Sequence, residues 1–287
     1  MAKARFKIYD LLAKNHQRQI VERCLLLPYI VVCATALIVA ALTLFSGFGL
    51  GTLLMPAFAL FFPVTVAVAA TAVVHLANNL FKVALVGRMA DMGVVIRFAT
   101  PGVIAAMIGA WLLSTFAGMS PLFNYQLGSR PHEVTVVKLV IAVIIFFFAL
   151  FELLPRMRRL TFDRKFLPLG GALSGFFGGL SGNQGALRSA FLIKTGLDKD
   201  AFIGTGVVAA VMVDIARLLI YGLVFYTYSF KTLENSTVGL VVAATLAAFV
   251  GSFIGRRLLK KVKLRTVQVI VGLMLVLLGI GLGSGLL

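Results

Sequence analysis

Long apolar stretches separated by short basic loops run the length of this chain, and their lengths predict its elements. The stretch at 25–46 is long enough to cross a bilayer as a helix, which takes about 20 apolar residues. It breaks at Ser46-Gly47-Phe48-Gly49-Leu50-Gly51 and resumes over 53–62, where Pro63 stops it. Further spans are predicted at 64–87, 94–116 and 134–154. After Arg156, Arg158, Arg159, Arg164 and Lys165 the pattern restarts. The stretch at 167–180 breaks at Ser181-Gly182-Asn183-Gln184-Gly185 and resumes over 186–193, followed by spans at 201–225, 238–259 and 267–282.

Each half is thus a broken helix followed by three spans. Gly87 and Gly222 close the second span of each half, and Gly109 and Gly251 match in the third, so an internal duplication is expected. The organisation is a basic segment at 1–24, repeats at 25–155 and 167–287, and a basic linker at 156–166.

Charge then orients the halves. The loop between third and fourth spans carries Arg130 in the first half but Arg256, Arg257, Lys260, Lys261, Lys263 and Arg265 in the second. The loop between second and third spans is reversed, with Arg88 and Arg97 against Lys231. Because positive loops stay cytoplasmic, equivalent loops lie on opposite sides and the repeats are inverted. The tally closes best if 25–62 crosses once while 167–193 dips in and returns, giving seven crossings rather than eight and a cytoplasmic N-terminus. The fold class is an all-α polytopic protein of the cytoplasmic membrane.

Composition agrees: at 60% hydrophobic and 13% charged residues, the chain cannot cover a water-soluble globule. A net charge of +17 would suggest nucleic acid in a soluble protein, but here the basic residues sit in loops where they set topology and touch lipid head groups. Lys3, Arg5, Lys7, Lys14, Arg18 and Arg23, interspersed with Phe6, Ile8, Leu11 and Leu12, suggest a retained amphipathic segment on the membrane face. Cys24 and Cys33, nine apart, fall on opposite sides of one helix with no Cys/His cluster beside them. Neither a metal nor a cofactor is called for, and no nucleotide-binding loop is present to couple ATP.

The chemistry concentrates at the breaks. Irregular backbone at membrane depth survives only in tight packing or along a wet cavity. Gly171, Gly175 and Gly179, like Gly251 and Gly255, recur every four residues, the spacing of close helix packing. Gly47, Gly49, Gly51, Gly178 and Gly179 mark the broken helices themselves. Ser181, Gly182, Asn183, Gln184 and Gly185, with Arg188 and Ser189, have more than packing requires, since an arginine near the bilayer centre costs about 2.5–3.5 kcal/mol on insertion scales. Small residues opening a short helix present free N–H groups, Asn and Gln amides add donors, and Arg188 adds a fork suited to oxyanions. That makes an anion cradle; the alternative is that Arg188 snorkels to the surface and the amides bridge helices.

His75, Asn78, Asn79 and Lys82 fall at i, i+3, i+4 and i+7, one polar stripe on the second span. Lys82 is near enough to the helix end to snorkel, yet the stripe argues for a water-lined face. In the second half Asp214 and Arg217 take roughly the places of Asn79 and Lys82. They form either an intrahelical ion pair or a coupling site in which Asp214 carries a proton or cation and Arg217 faces the anion. Glu152 and Asp91 are read as structural, and Trp111, Tyr226 and Tyr228 as interface or packing aromatics.

The duplicated unit and above all Gly178-Gly179-Leu180-Ser181-Gly182-Asn183-Gln184-Gly185-Ala186-Leu187-Arg188-Ser189-Ala190-Phe191 closely resemble the TauE/SafE family of sulfite exporter-like permeases, over about residues 25 to 285. The resemblance implies transport of sulfite, sulfoacetate and other organosulfonates, usually outward. Gly51-Thr52-Leu53 lacks the polar run of the second half, so the anion is expected off-centre, nearer Asn183 and Arg188.

The sequence thus points to a secondary transporter or exporter of small sulfur-containing anions, with the bilayer and the anion as partners and small-residue faces that permit a homodimer. One alternative is a membrane-embedded enzyme acting on a lipid phosphate, because the Ser-Gly-Asn-Gln-Gly run loosely resembles phosphate-gripping loops. Such chemistry wants acids or a metal beside the loop, where Asp214 and His75 are the only deep candidates. A passive anion channel is the third reading.

Overall fold

The computed structural model describes residues 26–42, 50–128, 130–158, 160–228, 235–258 and 264–287. The basic segment 1–24, Gly47, Gly49, Lys231, Lys260, Lys261 and Lys263 lie outside those residues. The first half contains α1 (Leu26–Leu42), α2 (Leu50–Ala59), α3 (Val64–Val86), α4 (Met92–Ala117) and α5 (Val136–Leu153). A short α6 (Pro155–Arg158) leads to α7 (Leu167–Ser181), α8 (Gly185–Leu192), α9 (Lys199–Tyr228), α10 (Asn235–Leu258) and α11 (Leu264–Gly283). Among the described residues α3, α4, α5, α9 and α10 are long and apolar enough to cross a membrane. The protein is an all-α polytopic membrane protein.

Local chemistry sets the helix starts. The Asp91 side chain accepts from Val94 N at 3.0 Å and caps α4, and Thr135 accepts from Lys138 N at 3.3 Å and caps α5. On α10, Val238, Val242, Leu246, Val250 and Phe253 stay exposed at three- and four-residue steps, a stripe suited to lipid. Trp111 likewise lies exposed on α4.

Equivalent helices of the two halves pair antiparallel. His75 of α3 meets Asp214 of α9, while Gly87 meets Val208 and Gly204 meets the Val86 carbonyl, so the numbers rise on one helix as they fall on the other. In the same sense Gly272 packs on Leu153 and Gly279 on Phe146, which sets α11 against α5. Equivalent spans that point opposite ways are what inverted repeats require.

The third span of each half instead runs parallel to the broken helix of the other. A Cβ at Gly171, Gly175 or Gly179 of α7 would collide with the carbonyl of Phe98, Gly102 or Ala106 of α4. One at Gly251 or Gly255 of α10 would do the same at Leu37 or Ala41 of α1. These glycines let backbones touch where hydrocarbon offers no hydrophobic drive. Gly175→Val should therefore cost about 1–3 kcal/mol by overpacking, read as a lower thermal midpoint in detergent. An unchanged midpoint would contradict the close packing.

The broken helix of the second half is a hairpin. Helix α7 turns back at Gly182, which takes the left-handed φ of 82° that favours glycine. Helix α8 then retraces it, with Gln184 beside Gly178 and Phe191 against Gly170. Phe162 closes the base of this hairpin by stacking on Phe191 with ring centroids 4.1 Å apart. Helix α10 starts at Asn235, close after α9 ends at Tyr228, and ends at Leu258, close before α11 starts beside the end of α5, so it runs the same way as α3 and crosses it where Ser252 bonds Asn78 and Phe249 packs on Phe81. Helix α1 is parallel to α10 and so to α3. Helix α2 starts level with His75 and ends at the short turn that begins α3, so it runs against α3. Helices α1 and α2 therefore point in opposite directions, as α7 and α8 do, contrary to the expectation that 25–62 crosses once.

One element is absent from the sequence reading. Between α4 and α5 a hairpin forms, β1 (Phe123–Leu127) paired antiparallel with β2 (Arg130–Val134). It folds over the end of α11, where Tyr125 donates its hydroxyl to the Ser284 carbonyl at 2.6 Å. At the opposite end of the bundle Arg265 donates to the carbonyls of Glu152 and Leu153 at 3.1 and 3.2 Å, capping the C-terminus of α5.

Candidate functional site

The site forms where three irregular or polar pieces meet at the middle of the bundle. The first is the stripe on α3. The second is the tip of the α7–α8 hairpin. The third is the centre of α9. His75, Asn78, Asn79, Lys82, Ser181, Asn183, Gln184, Arg188, Asp214 and Arg217 are all buried. Lys82 and Arg188 are 6% and 5% exposed, which answers the snorkelling alternative for both.

Asp214 ties these pieces together. Its Oδ2 accepts from His75 Nδ1 at 2.6 Å and Asn79 Nδ2 at 3.2 Å. Its Oδ1 accepts from Gln184 Nε2 at 2.9 Å and Arg217 at 2.7 Å. The intrahelical ion pair with Arg217 is present, and it is one part of a larger network. Arg217 also donates to the Gly178 carbonyl at 2.9 Å, so the hairpin is held to α9 by backbone as well as side chain.

The hairpin tip is braced from within. Ser174 Oγ donates to the Gln184 carbonyl at 2.8 Å, Ser181 Oγ donates to the Phe177 carbonyl at 3.0 Å, and Asn183 Nδ2 donates to Ser181 Oγ at 3.2 Å. Intrahelical bonding in α8 begins with Arg188 N to the Gln184 carbonyl, so the amides of Gly185, Ala186 and Leu187 precede it. Asn183 Oδ1, Asn78 Nδ2 and Arg217 Nε are buried without a hydrogen-bond partner. Such atoms cost free energy unless something else pairs them.

The start of α2 meets the hairpin tip here. A Cβ at Gly51 would stand 2.9 Å from the Gly182 carbonyl oxygen and 3.7 Å from His75 Cδ2. Gly51 lies inside α2, one residue past its start, rather than in the break where its glycine-rich surroundings suggested. Its missing side chain is what lets the hairpin tip approach.

Two polar residues of the site went unread in the sequence. Tyr221 donates its hydroxyl to the Gly179 carbonyl, and Ser252 of α10 donates to Asn78 Oδ1 at 2.7 Å. Tyr221 continues the Asp214, Arg217 face at i+7, a spacing that could have revealed it. Ser252, beside the packing glycine Gly251, carries no such signal.

The charge balance is uneven. Among the described residues of the cluster, the cations Lys82, Arg188 and Arg217 face the single carboxylate of Asp214. The family model for the sulfite exporter TauE/SafE matches residues 32–282, nearly the whole chain. The chain belongs to the TauE/SafE sulfite exporter family. It is thus a multi-pass membrane transporter of the sulfite-exporter type. Neither curated proteins nor solved structures give a match.

Proposed function

We propose that the protein is a secondary transporter that moves sulfite or an organosulfonate such as sulfoacetate outward across the cytoplasmic membrane. The anion binds at the α7–α8 tip among Asn183, Gln184, Arg188 and Lys82. The observation that carries this reading is the set of three buried cations converging with one carboxylate on a hairpin tip at the middle of the bundle. Ser181, Gly182 and Gly185 shape the tip, Asn78 offers a buried donor, and Gly51 walls the opposite side.

The basic residues Arg88, Arg97, Arg164, Lys165, Lys194, Lys199 and Arg265 gather toward one end of the bundle, which supports placing that end in the cytoplasm. An inside-negative potential then favours expelling an anion. The polar side chains of the site are themselves buried, which favours alternating access over a standing pore.

Purified protein in liposomes loaded with labelled sulfite or sulfoacetate should release them with saturable kinetics. Release no faster than from empty liposomes, for both anions, would refute the proposal.

A further inference from the structure

We propose that His75 binds the proton that travels with the anion. This rests on the transport reading above and adds its coupling ion. The argument starts from Asp214, whose two oxygens receive donors from His75, Asn79, Gln184 and Arg217. An ionised carboxylate offers about four acceptor sites, and these are filled. A proton on Asp214 would have to displace one donor, so this residue is the fixed negative charge of the site and the mobile proton belongs elsewhere.

The same bonds fix the histidine tautomer. Nδ1 lies 2.6 Å from an ionised oxygen and therefore carries hydrogen. Asn79 Nδ2, 3.0 Å from Nδ1, is itself a donor and so turns its hydrogen to Asp214. Nε2 is left as the basic nitrogen, and Asn79 Nδ2 approaches it only at 3.5 Å, at the limit of a useful bond. The ring edge that holds Nε2 also holds Cδ2, which faces Gly51, and Gly51 in turn faces the Gly182 carbonyl. The protonatable edge of His75 is therefore aimed at the place where the start of α2 meets the hairpin tip.

The surrounding charges make proton and anion interdependent. Facing His75 are Asp214 and Arg217 on α9 and Arg188 on α8, with Lys82 on its own helix. Helices α2 and α7 and the tip 182–184 contribute no titratable side chain. Arg217 is engaged with Asp214 and the Gly178 carbonyl. An imidazolium beside the remaining cations is unfavourable until an anion enters, and the anion gains a further cation once the ring is charged. Each ligand then raises the affinity for the other by the same factor. The proton comes from water on the loading side, sits on Nε2 during the passage and returns to water with the anion.

The test uses sulfoacetate, whose groups are both ionised near neutral pH, so that any proton counted belongs to the protein. In vesicles clamped at zero potential, with equal sulfoacetate on both sides, a gradient of about one pH unit should drive the wild type toward an about tenfold accumulation on the alkaline side. His75→Gln, which keeps an N–H for Asp214 but cannot take up the proton, should stay near a ratio of about one. Calorimetric titration of the detergent-solubilised wild type in buffers of different ionisation enthalpy should show net proton uptake on binding, independently of whether the variant folds. Sulfoacetate flux without pH-driven accumulation, equal accumulation by His75→Gln, or binding with no proton uptake would each overturn the proposal. Failure of the wild type to bind or move either sulfoacetate or sulfite would instead overturn the transport reading on which it rests.

Discussion

Asp214→Asn should abolish transport and destabilise the protein by about 3–5 kcal/mol, the cost of stranding one member of a buried ion pair. The carboxylate is fully buried, and Arg217, 2.7 Å away and equally buried, would keep its charge with no counter-ion beside it. The damage would extend beyond the pair. The same carboxylate holds His75 and Asn79 of α3 and Gln184 of the hairpin tip, so its neutralisation loosens the two second spans from the re-entrant hairpin together. A denaturant or thermal series in detergent measures the loss. Adding Arg217→Met should recover part of the stability without recovering flux, because the stranded charge is gone while the tip remains unanchored. An Asp214→Asn protein as stable as the wild type would mean that the network contributes nothing to holding the hairpin.

That network shows where sequence reading succeeds and where it stops. The spans emerged to within a few residues because a bilayer demands long apolar stretches, and because Pro63 and the glycine runs interrupt them visibly. The stripe from His75 to Lys82 was legible because helical spacing is local. The Asp214–Arg217 pair was legible for the same reason. The bond from Asp214 to His75 joins residues 139 apart, and nothing in the spacing of either helix announces it. Ser252 reaches Asn78 across 174 residues and is equally silent. The hairpin from Phe123 to Val134 was missed because a short loop between spans leaves no room for a periodic signal, and its partner, the end of α11, lies far along the chain. Charge counting did better, because the bias of basic loops depends on the side of the membrane and not on contacts. It gave the inversion of the halves but not the course of the first break, where α1 and α2 point in opposite directions although the tally had 25–62 crossing once.

Arg188→Gln separates recognition from stability in the opposite way to Asp214→Asn. Charge-assisted hydrogen bonds to an anion contribute about 1.5–3 kcal/mol, so losing the guanidinium should weaken sulfite and sulfoacetate binding by about 10- to 100-fold, read as a raised half-saturation concentration in liposome flux. Arg188→Lys should recover part of this, since it restores the charge but not the planar fork. The unliganded protein should nevertheless lose far less stability than with Asp214→Asn. Removing a cation from a cluster in which Lys82, Arg188 and Arg217 already outnumber Asp214 relieves repulsion rather than creating an imbalance. If Arg188 served only to bridge helices, the ranking would reverse, with a drop in thermal midpoint and an unchanged half-saturation concentration. The two substitutions measured side by side therefore assign separate roles within one buried cluster, with Asp214 as the charge that holds the hairpin in place and Arg188 as the charge held ready for the anion.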